Sequence, residues 1–285
     1  MGTVTIEEPE TSTLADLSDD SPAGRTFDID CRLEYELTGP CDYLFQIHAI
    51  DGIDQSVLSE SIEVTPPLAT HIYIDNDVQH RFMRLRAPAG PLAVHYRARV
   101  RRTPEPVDRW APEVPISDVP DAFMHYLMPT RYCESDLLGQ AAQQIFGAVA
   151  PGYNRVQAVA DWIHDNIAYQ IGSSNATTTA RDAFLQRAGV CRDFAHLGVT
   201  FCRALNIPAR LVVGYARFGE PPADFHAVFE AYLGGRWVMF DATRMSPLDE
   251  MIRIAIGRDA KDVAFATIFG PAQMVSMSPL IQPAS

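Results

Sequence analysis

No apolar run in the chain approaches the roughly 20 residues that a helix needs to cross a bilayer, which excludes a helical membrane span. There is no CxxC pair, and the five cysteines (Cys31, Cys41, Cys133, Cys191 and Cys202) are odd in number and widely scattered. Neither a disulfide framework nor a zinc ribbon is indicated, and at least one thiol needs another explanation. Positive charge is also scarce: 23 Lys and Arg face 36 Asp and Glu, a net charge of -13. Such a field repels phosphate backbones and acidic membranes, so neither nucleic acid nor a membrane is an expected partner, and a neutral or basic substrate suits better. The first stretch, through Asp20, carries acids where a secretory signal carries Lys or Arg, and it lacks an apolar segment. A cytoplasmic location is the expectation. Gly2 invites myristoylation, but Ile6 stands where that motif wants Ser or Thr.

What the sequence does contain is enough apolar material for two cores. At 285 residues, 47% hydrophobic and 21% charged, it reads as two globular domains. Residues 1–24, rich in Glu, Asp, Ser and Thr, have too little periodic apolar content to offset the entropy of ordering and read as an acidic tail. Over 25–102, short alternating stretches such as FDIDCRLEYEL and LAVHYRARVRR are separated by Gly, Pro, Asp and Asn clusters, the pattern of an all-β, sandwich-like domain. Five prolines in the eighteen residues 103–120 can neither extend a helix nor serve a central strand, which marks a linker. The remainder, 121–285, is read as a second domain.

In that second domain the period shifts towards 3.6. Val156, Val159, Ile163 and Ile167 share a helix face, and Thr179 is placed to cap a short helix through Leu185. From Arg210 the reading returns to strands, LVVGYARF, HAVFEAYL and RWVMFDAT, the last two joined at Gly234 and Gly235. The expected fold class is α+β, with helices followed by an antiparallel sheet.

Three residues in this second domain combine into a chemistry. Cys191 follows Gly189 and Val190 and opens the apolar run FAHLGVTFCRAL, which predicts a buried helix ending before Pro208. A thiol in the first turn sits where unpaired N–H groups and the positive end of the helix dipole favour its thiolate. A cysteine nucleophile also needs a base, and the base a group to fix its tautomer. If Gly234 and Gly235 form a two-residue turn, Leu233 pairs with Arg236, Val228 falls opposite Asp241, and His226 and Asp241 become diagonal neighbours on one face. A one-residue slip would separate them. Each of the three alone has a bland reading, and Cys202, mid-helix, reads as a core residue. The joint order Cys, His, Asp favours nucleophilic catalysis.

The runs GVCRDFAHL, IPARLVVGY and HAVFEAYLGGRWVMFDAT resemble the bacterial transglutaminase-like cysteine enzymes, whose core is similar to papain, and residues 27–102 resemble more weakly the N-terminal β domain of bacterial members. The resemblance implies a nucleophile at Cys191, a histidine at His226 and an acid at Asp241, acting on a peptide or amide substrate without a cofactor. Val228 stands where the family commonly has Trp, and Ala242 where it has Pro, departures that touch the pocket wall rather than the triad. IGRDAKDV also resembles a family segment, although Arg258, Asp259 and Asp262 receive no chemical role. Arg192, Asp193 and His196 are read as supporting or capping groups, and Tyr169 and Gln170 as weaker candidates to line the cleft or donate to an oxyanion. Hydrolysis is the favoured outcome, with transamidation to an amine and a non-catalytic binding module as alternatives. Metal binding by Cys191, His226 and Asp241 has the right ligand types but lacks close-spaced pairs. Oligomeric state is not read from the sequence.

Overall fold

The computed structural model describes residues 24–284 apart from positions 53, 76–79 and 219–222, so the expected acidic tail, but for Gly24, lies outside the described residues. The N-terminal region consists of β1 (Arg25–Leu37), β2 (Cys41–Phe45), β3 (Gln55–Thr65), β4 (Thr70–Ile74), β5 (Arg81–Ala87) and β6 (Gly90–Arg102). Alternation decides which faces turn inward. Phe27, Ile29, Cys31, Leu33, Tyr35 and Leu37 of β1 are buried while their neighbours along the strand are less so. The strands form two sheets whose inner faces meet through rings, with Tyr35 of β1 5.2 Å from Tyr43 and 6.1 Å from Phe45 of β2. This is the expected sandwich.

The second region holds α1 (Gly139–Phe146), α2 (Tyr153–Asn166), β7 (Ala168–Tyr169), α3 (Ala180–Gln186), β8 (Ala188–Gly189), α4 (Cys191–Ala204), β9 (Ala209–Tyr215), β10 (Phe225–Leu233), β11 (Arg236–Phe240) and β12 (Ile252–Gly257). The expected face of α2 is buried at Val156, Val159 and Ile163. Thr179 caps α3 as anticipated, accepting from Asp182 N at 3.3 Å while Asp182 Oδ2 accepts from Thr179 N at 3.0 Å. β11, β10, β9 and β12 lie side by side in an antiparallel sheet against α4, giving the α+β order expected. No helix among the described residues is long and apolar enough to cross a membrane.

The sequence division carries everything after residue 120 with the second domain, but the chain ends elsewhere. β13 (Ala266–Phe269) pairs with β2, and β14 (Ala272–Pro283) runs along almost the whole of β1. Both sandwich sheets are thus completed by the C-terminal strands, giving orders β14-β1-β6-β3 and β13-β2-β5-β4. Alternation identifies a strand without naming its partner, which is why this return was not legible. The proline-rich segment is likewise no free spacer. Pro112 O accepts from Gly234 N at 2.8 Å, Ala111 O from Tyr153 N at 2.9 Å, and Glu113 bridges to Leu233, so it is laced to the hairpin and to α2.

One apolar cluster runs through both regions, and α4 is its axis. Every residue from Asp193 to Arg203 is buried. The helix approaches β10 through Gly198, where an added Cβ would lie 2.4 Å from the Phe229 ring. Gly198→Ala is therefore expected to push α4 away from the sheet and to destabilise the protein by about 1–3 kcal/mol. Urea denaturation checks this, and an unchanged midpoint would mean that the helix is not held so closely.

Candidate functional site

The hairpin register is the one that places His226 and Asp241 together. Gly234 and Gly235 take positive φ (+57° and +85°), Leu233 pairs with Arg236, and Phe229 with Phe240. Asp241 follows directly, and its Oδ2 lies 3.0 Å from His226 Nε2. The carboxylate is held by three further donors. Oδ1 accepts from Thr243 N at 2.8 Å and Thr243 Oγ1 at 2.7 Å, and Oδ2 from Met245 N at 3.2 Å. Thr243 was missed as a supporting group, although Asp-x-Thr after a strand is a local turn signal that could have marked it.

Cys191 is the first residue of α4, as expected. The turn before it is closed by Asp193, whose Oδ2 accepts from Val190 N at 2.9 Å, and Gly189 is required there because a Cβ would lie 2.7 Å from Asp193 Cβ. Among the five free cysteines only Cys191 is not buried. Burial pushes the Cys31 and Cys133 thiols up to about 12 and raises Cys202 as well, so those three are held as neutral core groups. The Cys191 Sγ is 4.0 Å from Phe225 O, at the start of the strand that carries His226. The second imidazole nitrogen, Nδ1, is buried with no hydrogen bond closed on it, and the thiol is near enough to favour the protonated ring. Phe218 meets that ring edge-on at 5.1 Å.

The supporting residues sort by what they touch. Arg192 donates from Nη2 to Asn175 O at 2.8 Å and to Ser174 Oγ at 3.3 Å, tying the loop before α3 to α4. His196 is fully buried, stacks on Tyr132 at 5.4 Å and accepts from Ala260 N at Nε2, 3.1 Å. Its burial drives its pKa down to about 3, so it is a neutral pin rather than a base. The IGRDAKDV segment is thereby accounted for: Ala260 is held by His196, Arg258 O accepts from Arg203 Nη2 at 2.7 Å, and Asp259 Oδ2 accepts from Tyr132 N at 3.2 Å. Val228 lies in a second apolar cluster with Val212 and Met251, away from the solvent. Tyr169, on β7, is paired with Gly189 of β8, and its ring lies 5.9 Å from that of Phe194. Burial, with Cys191 and Asp224 nearby, raises the Tyr169 hydroxyl to about 12. Gln170 is exposed and joins through its backbone, its N–H donating to Gly189 O at 2.9 Å and its carbonyl accepting from Ser173 Oγ at 2.7 Å. Among the described residues no group of three His, Cys, Asp or Glu side chains is arranged to hold a metal ion.

Burial disfavours the charged imidazole of His226, but the hydrogen bond to Asp241 and the adjacent thiol outweigh it and raise the pKa to about 9. Burial likewise pushes the Asp241 carboxyl up, and its bonds to His226 and Thr243 outweigh that and hold it below its ordinary value. The stabilisation from the raised histidine is complete below its unfolded value of 6.5 and is lost as pH climbs through about 9; that from the carboxylate is lost on acidification below its ordinary 3.8. In Asp241→Asn only burial and the thiol act on the ring, and its NMR titration midpoint is expected to fall from about 9 towards or below 6.5. A midpoint still near 9 in the variant would mean that another group sets it.

Known proteins match this arrangement over nearly the whole described chain. Residues 139–242 match the transglutaminase-like superfamily, and residues 25–120 match the bacterial transglutaminase N-terminal domain. A crystal structure from Cytophaga hutchinsonii, named a "putative cysteine protease", is 41% identical, covers 92% of this chain and 91% of its own, and superposes with a TM-score of 0.88. An uncharacterized protein of Mycobacterium leprae is 30% identical over 226 residues, 74% of this chain and 79% of that protein. With the β domain, the helix-borne cysteine and the His–Asp hairpin all in place, the chain belongs to the transglutaminase-like superfamily.

Proposed function

We propose that the protein is an enzyme that hydrolyses a peptide or amide bond through a thioester on Cys191. The observation that carries this reading is the juxtaposition of a helix-terminal thiol, a histidine with one nitrogen turned towards it, and a carboxylate 3.0 Å from the other nitrogen. His226 Nδ1 takes the thiol proton and Sγ attacks the substrate carbonyl carbon, placing negative charge on the carbonyl oxygen. We assign the Cys191 backbone N–H, at the start of α4, as a donor to that oxygen, with Tyr169 as a weaker candidate. As the C–N bond breaks, His226 returns its proton to the leaving amine, and the thioester remains. His226 then deprotonates a water, which attacks the thioester and releases the acid with Cys191 restored. Asp241 keeps Nε2 engaged throughout, so that Nδ1 is the nitrogen that exchanges the proton.

An amine in place of water would give transamidation with the same residues; water is favoured because it is always present. The net charge of -13 favours a neutral or basic substrate. Five free thiols suit a reducing compartment, and the cytoplasm is the location we assign.

Iodoacetamide is expected to label Cys191 at least tenfold faster than the buried Cys202. Cys191→Ala is expected to abolish turnover of an amide panel, and His226→Ala to slow it by about 10²-fold or more. Equal labelling rates, or full activity in Cys191→Ala, would overturn the mechanism. The same panel assayed with and without added amine separates hydrolysis from transamidation.

A further inference from the structure

One charged side chain beside Cys191 takes no part in the chemistry above and has no donor of opposite charge. The other charged groups around the thiol are engaged: Arg192 with Asp193 and the Asn175 carbonyl, Asp241 with His226 and the Thr243 turn, and Arg217 with Glu250 at 3.0 Å. Asp224 differs. Its Oδ1 accepts from the Phe225 N–H at 2.7 Å, and among the described residues no Lys, Arg or His donates to it. Nor is any position outside the described residues a Lys, Arg or His. A carboxylate has about four acceptor positions, and here one is used.

Asp224 is exposed and stands immediately ahead of β10, two residues before His226. The Phe225 N–H holds its carboxylate, and the carbonyl of the same residue is 4.0 Å from Cys191 Sγ. With only Phe225 between them, the carboxylate lies within about 10 Å of the thiol. Its charge bears on the Tyr169 hydroxyl, as does that of Cys191, so the three groups border one space. His226 is also close enough to act on Asp224 electrostatically, but its hydrogen bond goes to Asp241. The Tyr169 ring, 38% exposed, offers an apolar wall for an alkyl stem.

We propose that Asp224 is a specificity-determining residue, selecting substrates that carry an ammonium or guanidinium group near the scissile carbonyl, from a basic side chain or a free N-terminus. The net charge of -13 draws cations to the whole surface without choosing between positions. A carboxylate with open acceptor positions beside the nucleophile does choose, and it repels an acidic substrate from the same place. The selection rests on the acylation of Cys191 proposed above and narrows its substrate class.

Labelling of Cys191 by chloroacetamides with 4-guanidinobutyl, pentyl or 4-carboxybutyl tails reads the cleft without turnover, the rates being followed on the Cys191 peptide by mass spectrometry. In the full wild-type chain the guanidinium probe is expected to react about tenfold faster than the carboxylate probe, with the pentyl probe between them. Asp224→Asn is expected to cut that ratio to about twofold or less, and Asp224→Glu to keep most of it. Glu63→Gln changes the net charge by the same amount on β3, roughly 26 Å along the strand from Gln55, which bonds to Arg253. It is expected to keep the tenfold ratio. No preference in the wild type, a ratio unmoved by Asp224→Asn, or equal falls in Asp224→Asn and Glu63→Gln would overturn the proposal. Turnover is read separately, on the 4-nitroanilides of acetyl-arginine against acetyl-citrulline and of leucine against acetyl-leucine. Faster cleavage of the charged member of either pair supports the selection and names the source of the charge, and faster cleavage of both neutral members overturns it. A labelling preference with no anilide cleaved would leave the selection standing and count against hydrolysis.

Discussion

The close approach of α4 to β10 is the constraint on which the rest of the molecule depends. It is made at Gly198 and Phe229, where no side chain larger than hydrogen fits between helix and strand. A helix that lies so flat on the sheet has its first residue fixed to within a fraction of a side chain of the strand's beginning, and that is where Cys191 and His226 stand. The other end is fixed with equal care. Arg203, also buried, spends its N–H groups on the carbonyl oxygens of Met128, Ala209 and Arg258, joining the segment after the linker, the start of β9 and the loop after β12. None of these acceptors carries a charge, so the cation is solvated by oriented backbone dipoles in place of water.

The buried charges divide into two kinds. In the candidate site each charge has a partner that changes with it: His226 gains a proton most readily while Asp241 is ionised, and Asp241 is kept ionised by four donors. Such an arrangement suits the proposed transfer of a proton without movement of a side chain. His196, only five residues after Cys191, shows the opposite treatment. It is enclosed by an aromatic ring and a backbone N–H, and burial keeps it neutral. Two histidines near one thiol thus acquire different roles from their surroundings alone.

Much of the candidate site was legible because its determinants are local. The Gly-Gly turn fixes a hairpin register by geometry, and from that register the diagonal between His226 and Asp241 follows residue by residue. The helix start at Cys191 was marked by Gly189 and by the apolar run behind it. What escaped notice was non-local. β13 and β14 carry an alternating pattern that any sheet edge would satisfy, and only the assembled fold shows that they close the N-terminal sandwich. The prolines of 103–120 forbid regular structure, but they do not forbid carbonyl groups from accepting hydrogen bonds, and so a segment read as a spacer proved to be a brace. Asp193 and His196 were placed correctly as supporting groups, yet the partner of His196 lies 64 residues away and could not be named.

The proposed mechanism requires that Cys191 become covalently acylated during turnover. Rapid acid quench during reaction with an activated amide, followed by peptide mass spectrometry, tests it directly. The expected result is the acyl mass added to the peptide containing Cys191 and to no other cysteine peptide, accumulating before product and decaying as substrate is exhausted. Turnover with no acyl group on that peptide, or with the group on Cys202, would contradict the account.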